Sequence, residues 1–132
     1  MSKYEESARK LIEGKNFAFL ATINPDGTPQ VTPTWVDREG EYILINTVEG
    51  RAKERNMQRN RAVAISIMEQ TNPYNMVTLK GEVVEAVTGP AAERHIDHLA
   101  KKYLGVDKNP WGEPGQRRVL FKIKIEWISG MS

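Results

Sequence analysis

The chain has 132 residues, a length that fits one domain and leaves little room for two. Its hydrophobic content of 39% and charged content of 27% are typical of a globular protein, and the lack of cysteine excludes disulfides, thiolate metal sites and cysteine nucleophiles. The net charge of +2 is too small to indicate nucleic-acid binding by itself.

The start of the chain predicts a helix followed by a β-hairpin. Four apolar residues recur there at helical spacing: Tyr4, Ala8, Leu11 and Ile12. Gly14 stands where a helix C-cap belongs. Residues 17–23 are a short apolar run typical of a strand, and Asn-Pro-Asp-Gly at residues 24–27 predicts a tight turn into a partner strand at residues 28–36.

The middle of the chain predicts three further strands and a basic helix. Residues 37–40 indicate a second turn, and residues 41–47 indicate a third strand. A polar stretch with helix formers and arginines follows at residues 48–60. Residues 62–68 and 76–87 again have the composition of strands.

The last part of the chain predicts a helix, a loop and a final strand. A helix begins at Gly89-Pro90, since proline is favoured in the first turn, and runs to about Leu104. Residues 106–115 form a predicted loop. Residues 118–128 alternate in polarity, with five side chains predicted to face inward: Val119, Phe121, Ile123, Ile125 and Trp127.

These elements amount to six strands in hairpin succession and about three helices. Short strands joined by turns favour an antiparallel barrel over a doubly wound parallel sheet. We therefore expect a single mainly β domain over residues 1–132, a six-stranded antiparallel barrel with flanking helices. The sequence has no recognisable leader and no apolar run long enough to span a bilayer, so we expect a cytoplasmic protein with no membrane partner.

Positive charge is concentrated in one segment, where Glu54 is the only acid among five basic residues: Arg51, Lys53, Arg55, Arg59 and Arg61. This segment leaves a strand, turns at Gly50 and enters the predicted basic helix. Because a helix N-terminus presents unpaired N–H groups, Arg51 and Lys53 in its first turn predict a phosphate site, to which the Thr47 hydroxyl adds a donor. The alternative is a solvated basic face, since three of the arginines recur every four residues.

Two histidines lie three residues apart on the predicted helix that begins at Pro90. His95 and His98 have a spacing that can bring two imidazoles to one metal ion. No third ligand is evident in the sequence, so a solvent-facing pair is the preferred interpretation and no metal site is predicted. The sequence also has no Ser-His-Asp order, no phosphate-binding Walker loop and no Rossmann fingerprint.

Several segments, in this order and spacing, match a known family. They are the opening helix, Phe-Ala-Phe-Leu-Ala-Thr at residues 17–22, Asp-Gly-Thr-Pro-Gln-Val at residues 26–31, Gly-Arg-Ala-Lys-Glu-Arg-Asn at residues 50–56 and Arg-Ala-Val at residues 61–63. With them the chain resembles the flavin-binding split β-barrel family that includes pyridoxamine-phosphate oxidase. More closely still, it is similar to the small reductases of that superfamily that depend on the deazaflavin coenzyme F-420.

The resemblance implies a role for each matching residue. Residues along the edge of the flavin or deazaflavin ring would be Gln30, Val31, Thr32, Pro33 and Thr34. Asn46 and Thr47 would lie near the ribityl chain and phosphate. Arg51 and Lys53 would bind the phosphate, with Gly50, Arg55 and Asn56 beside them. Asn75 would reach the cofactor from a later strand.

The resemblance also implies a homodimer whose cofactor lies in the groove between subunits. Tyr74, Trp111 or Trp127 would then come from the partner, although core or interface packing is preferred for Trp127. After Trp127 the chain has no counterpart of the Arg- and His-bearing substrate segment of the oxidase, so we do not expect vitamin B6 oxidation.

The function expected from the sequence is an oxidoreductase in which the cofactor supplies the hydride, because no acid–base pair stands out and no catalytic residue is assigned. The expected cofactor is coenzyme F-420, and the expected partner is a small unsaturated or conjugated electron acceptor. FMN-dependent chemistry and a non-catalytic cofactor carrier are the alternatives. A nucleic-acid-binding barrel is disfavoured, because no aromatic residues are interleaved with the arginines.

Overall fold

The computed structural model describes residues 3–131 and the side chains of residues 5–130, so the expected position of the Tyr4 side chain lies outside the described residues. Three helices and seven strands follow one another along the chain. They are α1 (Lys3–Glu13), β1 (Ala18–Ile23), β2 (Pro29–Thr34), β3 (Asp37–Glu39), β4 (Tyr42–Val48), α2 (Ala52–Arg59), β5 (Ala62–Glu69), β6 (Asn72–Val87), α3 (Pro90–Leu104) and β7 (Arg118–Met131).

The seven strands form one antiparallel sheet in the order β2-β1-β5-β6-β7-β4-β3. The expected count of six strands is wrong, because Asp37–Glu39 was predicted as a turn and instead pairs with β4. The turn falls at Gly40, whose φ of +59° suits glycine. The hairpin succession is also broken, since β4 pairs with β7. No ladder joins β2 to β3 within the described chain, so the expected barrel is not closed.

The hydrophobic core lies between the inner face of the sheet and α1. From α1 it receives Ala8, Leu11 and Ile12, as the helical spacing predicts. From the strands it receives Leu20, Ile43, Ile45, Ile65, Ile67, Leu79, Phe121 and Ile123, each at most 2% exposed. Burying such a side chain contributes about 1.5–3 kcal/mol, so these alternating strand positions stabilise the sheet that carries the site.

A β-bulge in β6 and β7 changes which face the end of the last strand presents. Lys80 pairs with Trp127 but the next residue, Gly81, pairs with Ile125, so Glu126 is an extra residue in β7. The bulge shifts the alternation by one position. Ile128 therefore packs against the core, while Trp127 is 47% exposed, and the predicted inward position of Trp127 is wrong.

Helix α3 covers the other face of the sheet at β4 and β7. Ala92 of α3 packs with Leu44 and Leu120, and Val87 closes this second, smaller core. The helix begins after Gly89, with φ +86°, and ends at Gly105 in the left-handed conformation. This packing places α3 over Asn46 and Arg118, on the face of β4 and β7 that it covers. None of the helices among the described residues is long and apolar enough to cross a bilayer.

Candidate cofactor-binding site

A cleft of about 470 Å³ opens where the β1–β2 hairpin, the start of α2, helix α3 and the loop after it come together. Its volume is within the roughly 300–1,000 Å³ of pockets that bind small molecules. The lining residues are Phe17, Pro33, Thr34, Trp35, Asn46, Arg51, Lys53, Ile96, Leu104, Asn109, Trp111 and Arg118. Three cations form one part of this lining and three aromatic side chains another.

The three cations of the cleft come from two elements. Arg51 is the N-cap of α2 and Lys53 lies in its first turn, directly after the turn at Gly50, whose φ is +97°. Arg118 begins β7 and is 8% exposed. No ion pair joins any of the three to a carboxylate among the described residues. The cleft therefore presents positive charge that the rest of the described chain does not neutralise.

The electrostatics of these cations are unfavourable without a counter-charge. Burial lowers the pKa of Lys53, and the neighbouring Arg51 lowers it further. Burial likewise lowers the pKa of Arg118, again with a contribution from Arg51. Glu93 and Asp97 oppose that shift from a distance. An anion in the cleft would relieve the repulsion among all three groups.

Helix α2 is fixed to the sheet by side chains that do not line the cleft. The backbone N–H of Gly50 donates to the Oε1 of Glu54 at 2.8 Å, which satisfies one free N–H at the helix start. Asn56, 2% exposed, donates from Nδ2 to Thr22 Oγ1 and to Asn24 Oδ1, both at 3.0 Å. Asn56 therefore positions the basic helix against β1 and its turn.

A stack of aromatic rings borders the cleft. Trp35 lies nearly parallel to Tyr103, with ring centroids 5.2 Å apart and an angle of 4°. The ring centroid of Phe17 is 5.8 Å from that of the same tyrosine. Trp111 contacts Trp35 with ring centroids 6.0 Å apart and an interplanar angle of 42°. The Tyr103 hydroxyl donates to Asn16 O at 2.7 Å and accepts from the backbone N–H of Val36. These contacts hold a flat apolar wall in place.

Asn46 lines the cleft from β4 and is held by α3. Its Nδ2 donates to Ala92 O at 2.9 Å and lies 3.2 Å from His95 Nδ1, while its Oδ1 is buried with no partner among the described residues. The Nε2 of His95 is 3.1 Å from Asp37 Oδ2. The expected solvent-facing histidine pair is thus half wrong, because the His95 side chain is 9% exposed and only His98, at 67%, faces solvent.

The structure brings six of the residues predicted from the sequence to this cleft: Pro33, Thr34, Asn46, Arg51, Lys53 and Trp111. Trp111, which was expected from the partner chain, lines the cleft of its own chain. Gly50 and Asn56 lie beside it in the turn and helix that place the cations. Others lie elsewhere on the hairpin or inside the sheet, namely Gln30, Val31, Thr32 and Thr47. The Thr47 hydroxyl is buried in the protein, at 1% exposure of the residue.

Tyr74 and Asn75 are not brought to the cleft of their own chain. Both belong to β6, where Tyr74 is 73% exposed and Asn75 donates to Glu69 Oε2 at 3.1 Å. A contribution of either residue to the cofactor site stays a prediction, and it requires a second chain.

Sequence reasoning missed Arg118, Phe17 and Trp35 as cleft residues. The alternation of the last strand predicts that Arg118 faces outward. Helix α3 packs on that outer face, so Arg118 is buried there. The aromatic pattern Phe17…Trp35 had no periodic signal, because the two rings meet through Tyr103 from a distant helix.

A larger cleft of about 780 Å³ lies elsewhere, and its charge argues against phosphate binding. Its lining residues are Glu5, Glu39, Gly40, Glu41, Tyr42, Lys124, Ile125, Glu126, Trp127 and Ile128. Four carboxylates and one lysine make this surface acidic. Separately, no group of three or more potential metal ligands occurs within the part of the chain that the structure describes.

The fold defines the class of protein first: mainly β, with helices on both faces of one antiparallel sheet. The chain belongs to the pyridoxamine 5'-phosphate oxidase family, whose family model matches residues 4–132. Among solved structures, it is similar to an F420 reductase with 30% sequence identity and a TM-score of 0.81, over 98% of both chains.

Two more distant structures share the fold. The conserved hypothetical protein Rv2991 from Mycobacterium tuberculosis is 22% identical, with a TM-score of 0.70 over 97% of this chain and 82% of that one. The General Stress Protein 26 from Bacillus anthracis str. Sterne is 16% identical, with a TM-score of 0.70 over 96% of this chain and 92% of that one. At these identities the likeness concerns the fold alone.

Proposed function

We propose that this protein is a cytoplasmic oxidoreductase that binds a phosphorylated flavin-type cofactor in the basic cleft, with the deazaflavin coenzyme F-420 as that cofactor. The observation that carries the proposal is the meeting of Arg51, Lys53 and Arg118 in one cleft with no carboxylate partner among the described residues. Two of these cations lie at the start of a helix and the third at the start of a strand, and together they are a donor set suited to phosphate.

The residues present fit the ring of such a cofactor as well as its phosphate. The rings of Phe17, Trp35 and Trp111 offer apolar surface, and Pro33 and Thr34 supply backbone groups beside them. Asn46 adds a buried carbonyl oxygen that has no donor among the described residues. When bound, the deazaflavin supplies the hydride for the reduction of a small unsaturated or conjugated acceptor. The residues of the chain bind the cofactor, orient it and exclude water from the cleft.

The likeness to an F420 reductase at 30% identity supports the deazaflavin over the alternatives. An FMN-dependent oxidoreductase of the same fold is the second candidate, because the three cations would bind the FMN phosphate equally well. A carrier that binds the cofactor without turnover is the third, since the site contains no evident acid–base pair. We further propose that the protein is a homodimer whose partner chain completes the cleft.

Binding titrations with purified coenzyme F-420 and with FMN test the proposal. Arg51→Ala and Lys53→Ala should each weaken binding about tenfold to a hundredfold, because hydrogen bonds to charged groups are worth about 1.5–3 kcal/mol. Arg61→Ala is the matched control, since Arg61 is an exposed arginine of the same basic segment that does not line the cleft. Equal affinity of all variants for both cofactors would show that the basic residues of α2 face solvent and do not bind the cofactor phosphate.

Stopped-flow mixing then separates the three candidates. Reduced coenzyme F-420 with the protein should reduce members of a panel of enones and quinones faster than the same mixture without protein. Stoichiometric co-purification of FMN, with no acceleration of deazaflavin oxidation, would instead establish the FMN alternative. Tight binding of F-420 with no acceleration for any acceptor would favour the carrier.

A further inference from the structure

The orientation of the Asn46 amide is fixed by one backbone carbonyl. Ala92 O lies 2.9 Å from Asn46 Nδ2, and a carbonyl oxygen only accepts hydrogen bonds. The NH₂ group must therefore face α3. Its second hydrogen is directed to His95 Nδ1 at 3.2 Å, and the amide oxygen is left as the atom without a partner among the described residues.

The same chain of contacts fixes the proton on His95. Because Asn46 Nδ2 donates to Nδ1, that ring nitrogen is an acceptor and carries no hydrogen. The proton of the neutral ring then lies on Nε2, which donates to Asp37 Oδ2 at 3.1 Å. Asp37 is thus the outer end of a chain that runs from β3 through α3 to the cleft.

We propose that His95 and Asp37 are positioning residues, which hold the Asn46 amide so that its oxygen accepts a hydrogen bond from a hydroxyl group of the bound cofactor. This inference rests on the proposed function. A buried acceptor without a donor costs about 1–3 kcal/mol, so a ligand hydroxyl that reaches Asn46 recovers that cost. A polyol chain next to a phosphate held by Arg51, Lys53 and Arg118 carries such hydroxyl groups.

The arrangement holds only while His95 is neutral. A second proton on the ring would place an N–H on Nδ1 opposite the NH₂ of Asn46, two donors with no acceptor between them. Although burial alone would raise it, the hydrogen bond with His95 and the backbone N–H of Arg38 lower the pKa of Asp37, which keeps Asp37 an anion. The anionic carboxylate accepts from Nε2 and so holds the single ring proton there, which leaves Nδ1 to accept from Asn46.

The elements packed near His95 carry other charged residues. They are Arg38 and Glu39 on β3, Glu93, Asp97, His98 and Lys102 on α3, and Arg118 and Lys122 on β7, while β4 has no charged residue. His98 Nε2 is 3.5 Å from Asp37 Oδ2 and shares the same carboxylate. His98 is therefore the control for any effect that comes from Asp37 alone.

The first test is an NMR measurement of the imidazole tautomers in ¹⁵N-labelled protein without cofactor. At pH 7.5 the spectrum of His95 should show a protonated Nε2 and an unprotonated Nδ1. His95→Gln assigns the signal by its loss. A proton on Nδ1 would overturn the proposal, because that nitrogen could then not accept a hydrogen bond from the NH₂ group of Asn46.

The second test measures the affinity for coenzyme F-420 and for FMN at pH 7.5. His95→Phe removes the acceptor that holds the NH₂ group of Asn46, so its affinity should be about tenfold lower than that of the parent, the loss of one hydrogen bond to a buried acceptor. His95→Gln keeps one donor and one acceptor and should restore most of that affinity. His98→Gln should behave as the parent.

Equal affinities of the parent and His95→Phe would overturn the proposal, and so would an equal loss of affinity in His95→Phe and His95→Gln. Failure of the parent to bind either cofactor at pH 7.5 would instead refute the proposed function and, with it, the ligand role of Asn46. The tautomer measurement still decides the positioning of the amide in that case.

Discussion

At the scale of single residues, two neighbouring arginines show how position decides the role of a charge. Arg117 faces solvent, with its side chain 65% exposed, and pairs with Glu49. Arg118, the next residue, is 8% exposed and lines the cleft beside Arg51. Arg117 lies just before β7 and Arg118 begins it, so two adjacent arginines with different surroundings form a natural pair for mutation.

Arg118→Ala should weaken the binding of coenzyme F-420 about tenfold to a hundredfold, because the variant loses a charge-assisted contact at a desolvated site. Arg117→Ala should change affinity by less than about twofold, as expected of an exposed ion pair. Fluorescence titration of the cofactor measures both. Equal affinities of the two variants would remove Arg118 from the site.

Tyr103 links the aromatic wall to the alkaline stability of the protein. Burial raises its pKa to about 12, above the ordinary value of 10.0. Because the folded state holds this proton more tightly than the unfolded state, the resulting stabilisation is complete below about pH 10 and is lost as pH rises towards 12. Absorbance titration should therefore show a phenol that ionises late, near pH 12.

Tyr103→Phe should abolish that late titration and lower the free energy of unfolding by about 1–3 kcal/mol, since the buried N–H of Val36 loses its acceptor. Tyr74→Phe is the control, because Tyr74 is 73% exposed. Denaturant unfolding at pH 8 measures the difference. A late phenol that persists in Tyr103→Phe would assign the shift to another tyrosine.

At the scale of elements, the sequence predicts the three helices and six of the strands, because local patterns decide them. The apolar spacing of α1 and the turn at Gly27, with φ +87°, are properties of neighbouring residues. Strand β3 escapes prediction since Asp37–Glu39 is short and polar, and it becomes a strand only by pairing with β4. The same limit applies to Trp127, whose outward position follows from a bulge formed with β6.

The candidate site divides in the same way. Arg51 and Lys53 are predictable because they belong to one segment, a turn followed by a helix start. Arg118 and His95 are not, because their roles depend on α3 lying over β4 and β7. Long-range packing brings these residues within contact distance, and no local pattern records it.

Gly81 makes the bulge possible, and its replacement tests that packing. A Cβ at this position would lie 2.5 Å from Lys124 O and 2.9 Å from a methyl carbon of Ile123. Gly81→Ala should therefore destabilise the protein by about 1–3 kcal/mol, as other overpacked positions do. Gly112→Ala is the control, with no atom nearer than 3.9 Å. Urea unfolding of both variants measures the effect, and equal midpoints would show that β7 can move away.

At the scale of the whole molecule, one face of the sheet exposes several large apolar side chains to solvent. Phe19, Val31 and Met68 on β1, β2 and β5 are 36%, 62% and 39% exposed, and Trp127 adds to them from β7. Phe121, which was predicted to face inward, belongs to the core of its own chain, at 0% exposed. The exposed set borders the cleft at Pro33, the pairing partner of Phe19.

The proposed homodimer predicts a mass in light scattering of twice the 15.0 kDa of one chain. Val31→Glu should shift the protein towards the monomer, because burying an unpaired carboxylate is costly. Val106→Glu is the control, at 38% exposed on the loop after α3. A stable monomer at micromolar concentration with full cofactor affinity would contradict the homodimer.

The open edges of the sheet have a consequence for solubility. Two of the six residues of β2, Pro29 and Pro33, have no N–H to offer another strand, and β3 is only three residues long. Edges of this kind are poor templates for strand addition, the route by which sheets join into fibrils. Strand addition at these edges is therefore disfavoured, and crowded solutions should yield discrete assemblies in place of extended aggregates.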